Sequence, residues 1–144
     1  MDAAVLSEIR VTQRFGAPAD RVFSAWIEPA LAVKWLFATA WRPLARVEID
    51  ARAGGSFRFE ERIDGKGVVH TGQYIEIDRP RRLVIALSEE KRRRGLTRVS
   101  VEIAPLDAGC VLTLVHANVP PEDAYYAEGR WTGMLYGLAT MLGQ

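Results

Sequence analysis

The sequence predicts an α+β fold in which one long C-terminal helix closes over the concave face of a curved antiparallel sheet of about seven strands, with two short helices near the start. Three observations predict it: a hydrophobic period of two that sets in at Ala45 and continues to Pro120, helical periods on either side of that stretch, and turn residues between successive alternating runs.

Each element follows from its local pattern. Arg10 to Phe15 alternates polar and apolar residues and ends at Gly16, as a short strand does. Pro18 suits a first helical position, and Val22, Phe23, Trp26 and Ile27 recur at helical spacing until Pro29 interrupts. A second short helix is expected from Pro29 to about Leu36, with Leu31 and Trp35 on one face. Val47, Ile49 and Ala51 then alternate with charged neighbours, and Gly54-Gly55 turns the chain into Phe57-Arg58-Phe59, after which the remaining strands follow in succession. Beyond Pro120-Pro121 a helix is expected to begin near Glu122 or Asp123, whose charges suit the positive end of its dipole. Trp131, Leu135, Leu138 and Leu142 form one apolar stripe along it.

The bulk numbers bound the function. A chain of 144 residues, 49% hydrophobic, is expected to form one compact domain over 1–144. Nineteen basic against eighteen acidic side chains give a net charge of +1, which implies neither a nucleic acid nor an anionic membrane as partner. Cys110, the sole cysteine, excludes an intrachain disulfide and fits a reducing compartment. Met1 to Arg10 lacks the basic start and apolar core of a secretory signal, and no apolar run approaches the roughly 20 residues of a membrane span. A cytoplasmic protein without membrane insertion is expected.

Hairpin arithmetic assigns the faces, because opposed residues on paired antiparallel strands point the same way. A turn at Asp64-Gly65-Lys66-Gly67 would set Ile63 against Val68, Glu61 against His70, Phe59 against Gly72 and Phe57 against Tyr74. The turn at Asp78-Arg79-Pro80-Arg81 would set Tyr74 against Ile85 and Gly72 against Leu87. The last hairpin, at Leu106-Asp107-Ala108-Gly109, would set Ile103 against Leu112, Val101 against Leu114 and Val99 against His116. One face then collects Phe57, Phe59, Ile85, Leu87, Val99, Val101, Leu112 and Leu114, and the helix stripe must cover it. The same face receives Glu61, His70, Tyr74 and His116. Polar groups there must be hydrogen-bonded or meet water or a ligand, since leaving one unpaired costs about 1 to 3 kcal/mol.

These residues also carry a resemblance. Ala17-Pro18-Ala19-Asp20-Arg21-Val22-Phe23-Ser24-Ala25-Trp26, then Glu28-Pro29 and Lys34-Trp35-Leu36, resembles the opening of the activator of heat-shock-protein-90 ATPase homologue family. That family is part of the SRPBCC superfamily, the START-like and pollen-allergen-like helix-grip proteins. Gly54-Gly55 before a Phe-rich strand, Gly72-Gln73-Tyr74-Ile75-Glu76-Ile77 leading to Arg79-Pro80-Arg81-Arg82-Leu83-Val84, Leu112-Thr113-Leu114-Val115-His116, and Trp131 with its leucines complete the likeness. Two positions depart from the family pattern: Arg130 separates Gly129 from the helix tryptophan, and Glu61 stands where relatives often carry an apolar residue. The resemblance implies a helix-grip architecture, often dimeric, that holds a ligand between sheet and helix. It supplies no substrate, since superfamily members bind lipids, polyketides, hormones and other unrelated molecules.

The leading expectation is therefore an intracellular protein that binds a small hydrophobic or amphipathic ligand, without cofactor or metal. Its expected lining is Trp35, Trp41, Phe57, Phe59, Glu61, His70, Tyr74, Ile85, Leu87, Val99, Val101, Leu114, His116, Trp131 and Leu135. Glu61 beside His70 fits either an acid–base pair assisted by Tyr74, as in the cyclases and aromatases of the superfamily, or a polar pair that merely satisfies itself. His116 fits a core histidine or a ligand contact. A metal held by Glu61, His70 and His116 is disfavoured, because in a meander the two histidines lie three strands, about 14 Å, apart. Lys91-Arg92-Arg93-Arg94, together with Arg79, Arg81 and Arg82, fits a solvated surface or a dock for an acidic partner. A third role, implied by the family name alone, is a co-chaperone contacting a heat-shock ATPase in a stress response.

Overall fold

The computed structural model describes residues 6–37, 46–63, 66–89 and 97–143. Trp41 and the Lys91-Arg94 run lie outside the described residues. Ten elements follow in order: β1 (Ser7–Phe15), α1 (Ala19–Ile27), α2 (Pro29–Ala32), β2 (Arg46–Ile49), β3 (Ser56–Ile63), β4 (Lys66–Asp78), β5 (Arg82–Glu89), β6 (Thr97–Leu106), β7 (Gly109–Val119) and α3 (Pro121–Met141). The strands form one antiparallel sheet in the order β1-β7-β6-β5-β4-β3-β2, so β2 to β7 make a meander and β1 closes onto β7. The α+β architecture, with two short helices and one long C-terminal helix, matches the helix-grip arrangement expected of the sequence.

Prolines set the helix boundaries. Pro18 caps α1 instead of starting it, and Glu28 is extended (φ −94°, ψ 120°), as the residue before a proline tends to be, so α1 stops and α2 restarts at Pro29. Regular helix ends at Ala32, earlier than the expected Leu36, and turns continue to Phe37. Phe37 has φ 58°, a left-handed backbone conformation that side-chain-bearing residues seldom adopt. Helix α3 starts at Pro121, at or just before the expected start.

The registers of β4–β5 and β6–β7 agree with expectation: Tyr74 opposes Ile85, Gly72 opposes Leu87, Ile103 opposes Leu112, Val101 opposes Leu114 and Val99 opposes His116. The β3–β4 register does not. Ile63 pairs with Lys66, Glu61 with Val68, Phe59 with His70 and Phe57 with Gly72. The ladder sits one pair nearer the end of the hairpin than expected, with Ile63 and Lys66 as its last described pair, and Asp64-Gly65 lie outside the described residues. A slip of two residues preserves the face of every side chain, which is why the inward set survives the correction.

That inward face is the core. Phe57, Phe59, Leu87, Val99, Val101, Leu112 and Leu114 are buried, and Trp131, Leu135, Leu138 and Leu142 of α3 are buried with them. Each such side chain contributes roughly 1.5–3 kcal/mol when fully enclosed. Helix α3 lies against β1, while α1 reaches β6 and β7. Gly72 is needed where it stands: a Cβ there would come within 2.1 Å of the Ala86 carbonyl oxygen and 2.4 Å of the Phe57 ring.

Candidate functional site

Strand alternation turns Glu61 of β3 and His70 of β4 inward, and the observed register makes them diagonal neighbours across the two strands. Their side chains meet: His70 Nε2 donates to Glu61 Oε2 over 2.6 Å, and both residues are almost fully buried, at 1% and 3% exposure. From α3, Arg130 Nη2 donates to the same oxygen over 2.9 Å. The two positions that depart from the family pattern therefore pair with each other across the gap between sheet and helix.

A guanidinium keeps its proton at all accessible pH, so Glu61 beside it is a carboxylate that can only accept. Burial alone would push the Glu61 carboxyl up, but the hydrogen bonds from His70 and Arg130 and the charge of Arg130 outweigh it and hold the group below its ordinary range. Burial likewise disfavours the charged form of Arg130, and Glu61 more than compensates. The carboxylate fixes a proton on His70 Nε2. Phe37 completes the cluster: its ring stacks on His70 at 4.3 Å, its face lies 5.9 Å from the Arg130 guanidinium, and its N–H donates to Met134 Sδ over 3.0 Å.

A second polar chain crosses from α3 to the sheet. Trp131 Nε1 donates to His116 Nδ1 over 3.0 Å, and His116 Nε2 lies 2.8 Å from Thr97 Oγ1. An indole N–H only donates, so Nδ1 accepts, the imidazole proton sits on Nε2, and that proton is given to Thr97. His116 is thus a hydrogen-bonded core histidine that ties the long helix to β7 and β6.

The other expected lining residues are distributed as follows. Trp35, Phe57, Phe59, Tyr74, Ile85, Leu87, Val99, Val101, Leu114, Trp131 and Leu135 are all buried on the sheet–helix side. Trp26 stands among them, edge-on to Trp35 at 4.7 Å and stacked with Trp131 at 6.0 Å. Tyr74 does not join Glu61 and His70. Four residues along β4 separate it from His70, about 13 Å at the rise of an extended strand, and its ring packs on Phe57 at 5.3 Å. Burial, then the nearby Asp50 carboxylate, push its hydroxyl well up, so it stays protonated. Among the described residues no three His, Cys, Asp or Glu side chains converge as metal ligands would.

The outward arginines are internally paired: Arg79 bonds Asp20 over 2.9 Å and also Ser24, Arg81 bonds Asp78 over 3.2 Å, and Arg82 reaches Glu76 and Glu102 over 3.3 and 3.2 Å. An open groove of about 740 Å³, lined by polar residues such as Glu48, Arg58, Thr71 and Gln73 and by Ile49, Phe57 and Ala86, lies along β2–β5. No helix among the described residues is long and apolar enough to cross a membrane.

Phe37, Thr97 and the role of Arg130 were not foreseen. Phe37 follows Lys34-Trp35-Leu36 directly, but its importance depends on a left-handed backbone turn that no periodicity announces. Arg130 carried a usable signal, since it was an anomaly one position before the helix tryptophan.

Residues 16–143 match the model of the family described as Activator of Hsp90 ATPase homolog 1-like protein. No curated protein matches the chain. Among solved structures, protein CV1439 from Chromobacterium violaceum is similar at 25% identity and a TM-score of 0.87, over 95% of this chain and 97% of that one. An uncharacterised protein from Rhizobium leguminosarum (19% identity, TM-score 0.83, 97% and 96% covered) and the AHSA1-like protein from Aeromonas hydrophila (18%, 0.80, 93% and 90%) share the fold.

Proposed function

The chain belongs to the activator of Hsp90 ATPase homolog 1-like family, within the START-like helix-grip superfamily, and from that membership and its buried polar cluster we propose a protein that binds a small hydrophobic or amphipathic molecule between sheet and α3. Family and fold together support a ligand-binding or co-chaperone-type role. The family description names an activator of an ATPase, which favours binding over catalysis by this chain itself.

The observation that carries the proposal is the Arg130–Glu61–His70 cluster, set among apolar side chains at the junction of sheet and helix. Small-molecule sites have this composition, mostly apolar with a few converging polar groups. In this reading the apolar lining receives the body of the ligand and the cluster receives its polar end. The lining is the set expected from the sequence, Trp35, Trp41, Phe57, Phe59, Glu61, His70, Tyr74, Ile85, Leu87, Val99, Val101, Leu114, His116, Trp131 and Leu135. All of it is supplied by one domain working in the cytoplasm.

Native mass spectrometry of freshly purified protein tests it. A discrete mass above that of the chain, lost on denaturation and diminished when Leu135→Trp fills the interior, is the expected result. A bare chain mass, with no binding of a fluorescent apolar probe, would overturn the reading.

A further inference from the structure

We propose that the outward face of α3 is an interface between two copies of this chain, in which the two helices pack antiparallel and Tyr136 of each lies over Gly129 of the other. This stands on the exposed side of the helix and is independent of the binding role proposed above.

That face carries more aromatic surface and less charge than contact with water alone explains. Tyr125, Tyr126 and Tyr136 are 91%, 62% and 70% exposed. At 3.6 residues per turn they fall on the side of α3 opposite the buried Trp131, Leu135 and Leu138. The free side of a surface helix is ordinarily rich in charged residues, yet beyond Arg130 the chain has no Asp, Glu, Lys or Arg. Gly129, Gly133 and Gly137 recur every four residues among the tyrosines, inside a helix of 21 residues, and all three are exposed. Glycine is a poor helix former, and a Cβ at each of these positions would meet nothing within 4 Å, so packing within the chain does not call for it. What glycine does permit is the close approach of a second helix, with tyrosine rings as knobs for the holes it leaves.

A second copy fits this surface best. An uncharged face meets its own image without repulsion, and a face that holds both knob and hole complements itself about a twofold axis. The register with Tyr136 over the partner's Gly129 also sets Tyr125 against Thr140 and brings Thr132 and Gly133 to the axis, so both outer tyrosines meet a small residue at once. At about 200 Å² for a fully exposed tyrosine, the three rings offer roughly 450 Å² per chain. With the glycine and threonine surface between them, two copies would bury about 1,000 Å² in total, which is the lower end of a specific interface. A dimer that forms at micromolar concentrations and above is the expected consequence.

Sedimentation velocity of the full chain from about 10 to 500 μM tests this, and the weight-average mass should climb from 16.1 kDa toward twice that value. Gly133→Glu places a charge at the axis, where the single chain leaves open space, so it should keep or raise the melting temperature while weakening self-association at least about tenfold. Thr132→Cys should be joined to its own copy by a short bismaleimide, whereas Thr12→Cys, exposed on β1, should not, and the fully buried Cys110 is out of reach of the reagent. A mass fixed at 16.1 kDa over the whole range would overturn the inference. So would a dimer that Gly133→Glu leaves unchanged and that Thr132→Cys does not cross-link, since the contact would then lie elsewhere on the chain. Neither result bears on the sheet–helix interior, so the binding role is judged separately.

Discussion

Trp131 and His116 are joined by a hydrogen bond of 3.0 Å from the indole N–H to Nδ1, and this contact fixes both the height of the long helix over the sheet and the tautomer of the imidazole. Removing the donor leaves a buried acceptor with nothing to accept. Trp131→Phe should destabilise by about 1–3 kcal/mol beyond the loss of packed area, whereas pairing it with His116→Phe should recover part of that loss, because the imidazole acceptor goes with its donor and the half-buried Thr97 hydroxyl that loses its donor can still donate to the Leu87 carbonyl. Denaturant midpoints of the two single variants and the double variant measure this. Simple additivity would contradict it.

The link from Arg130 to Glu61 predicts a second coupling. Arg130→Met withdraws one of two donors from the carboxylate and uncovers the Phe37 ring. Arg130 retains some exposure, so the expected loss is about 1–3 kcal/mol, below the 3–5 kcal/mol of a fully enclosed pair. A double-mutant cycle with Glu61→Gln should return a coupling of about 1 kcal/mol or more, and a coupling near zero would mean that the pair contributes nothing to the fold.

The faces of the sheet were legible in the sequence and the contacts across it were not. Period-two alternation settles that Phe57, Phe59, Glu61, His70 and Tyr74 all point inward, and this conclusion tolerates the two-residue register error because the side-chain period is two. Which inward residues touch depends on register, and register depends on one turn; Tyr74 shares a face with Glu61 and His70, but four residues of β4 hold it away from His70 in any register, and it packs on Phe57 instead. The apolar stripe of α3 was legible for the same periodic reason. The bond from Arg130 to Glu61 spans 69 residues of chain, and only the folded geometry brings such partners together.

Acid should weaken the fold through Glu61. Its folded-state value is depressed below the ordinary 4.5, so its stabilising contribution is fully present above that pH and is lost as the pH falls through the folded value. The difference in unfolding free energy between the parent protein and Glu61→Gln should be constant from pH 7 to about 5 and narrow below about 4.5. Urea titrations across that range measure it. A difference that grows as the pH falls would reverse the assigned direction.

Gly72 is a steric requirement on the inner face. The Phe57 ring occupies the space that a side chain would need, and the Ala86 carbonyl oxygen lies 2.1 Å from the ideal Cβ position. Gly72→Ala must therefore displace backbone as well as a ring, with an expected loss of about 1–3 kcal/mol or more. Phe57→Leu in the same chain should relieve part of it by freeing the ring contact but not the carbonyl contact. Full tolerance of Gly72→Ala, read as an unchanged melting temperature, would show that the strands can part there.

Phe37 allows a sharper test, because its two contributions act in opposite directions. Its ring is buried against His70, Phe59 and Trp131, at centroid distances of 4.3, 5.5 and 5.9 Å, so truncation should cost about 3–5 kcal/mol. Its backbone, at φ 58°, is a conformation in which a Cβ is unfavourable by roughly 1–2 kcal/mol and glycine is not. Truncation to glycine at a buried position is ordinarily worse than truncation to alanine, since glycine adds disorder to the unfolded chain. At this position the order should invert, with Phe37→Gly more stable than Phe37→Ala by about 1 kcal/mol in denaturant unfolding. If alanine is the better tolerated of the two, the left-handed turn that places Phe37 over His70 does not persist in solution.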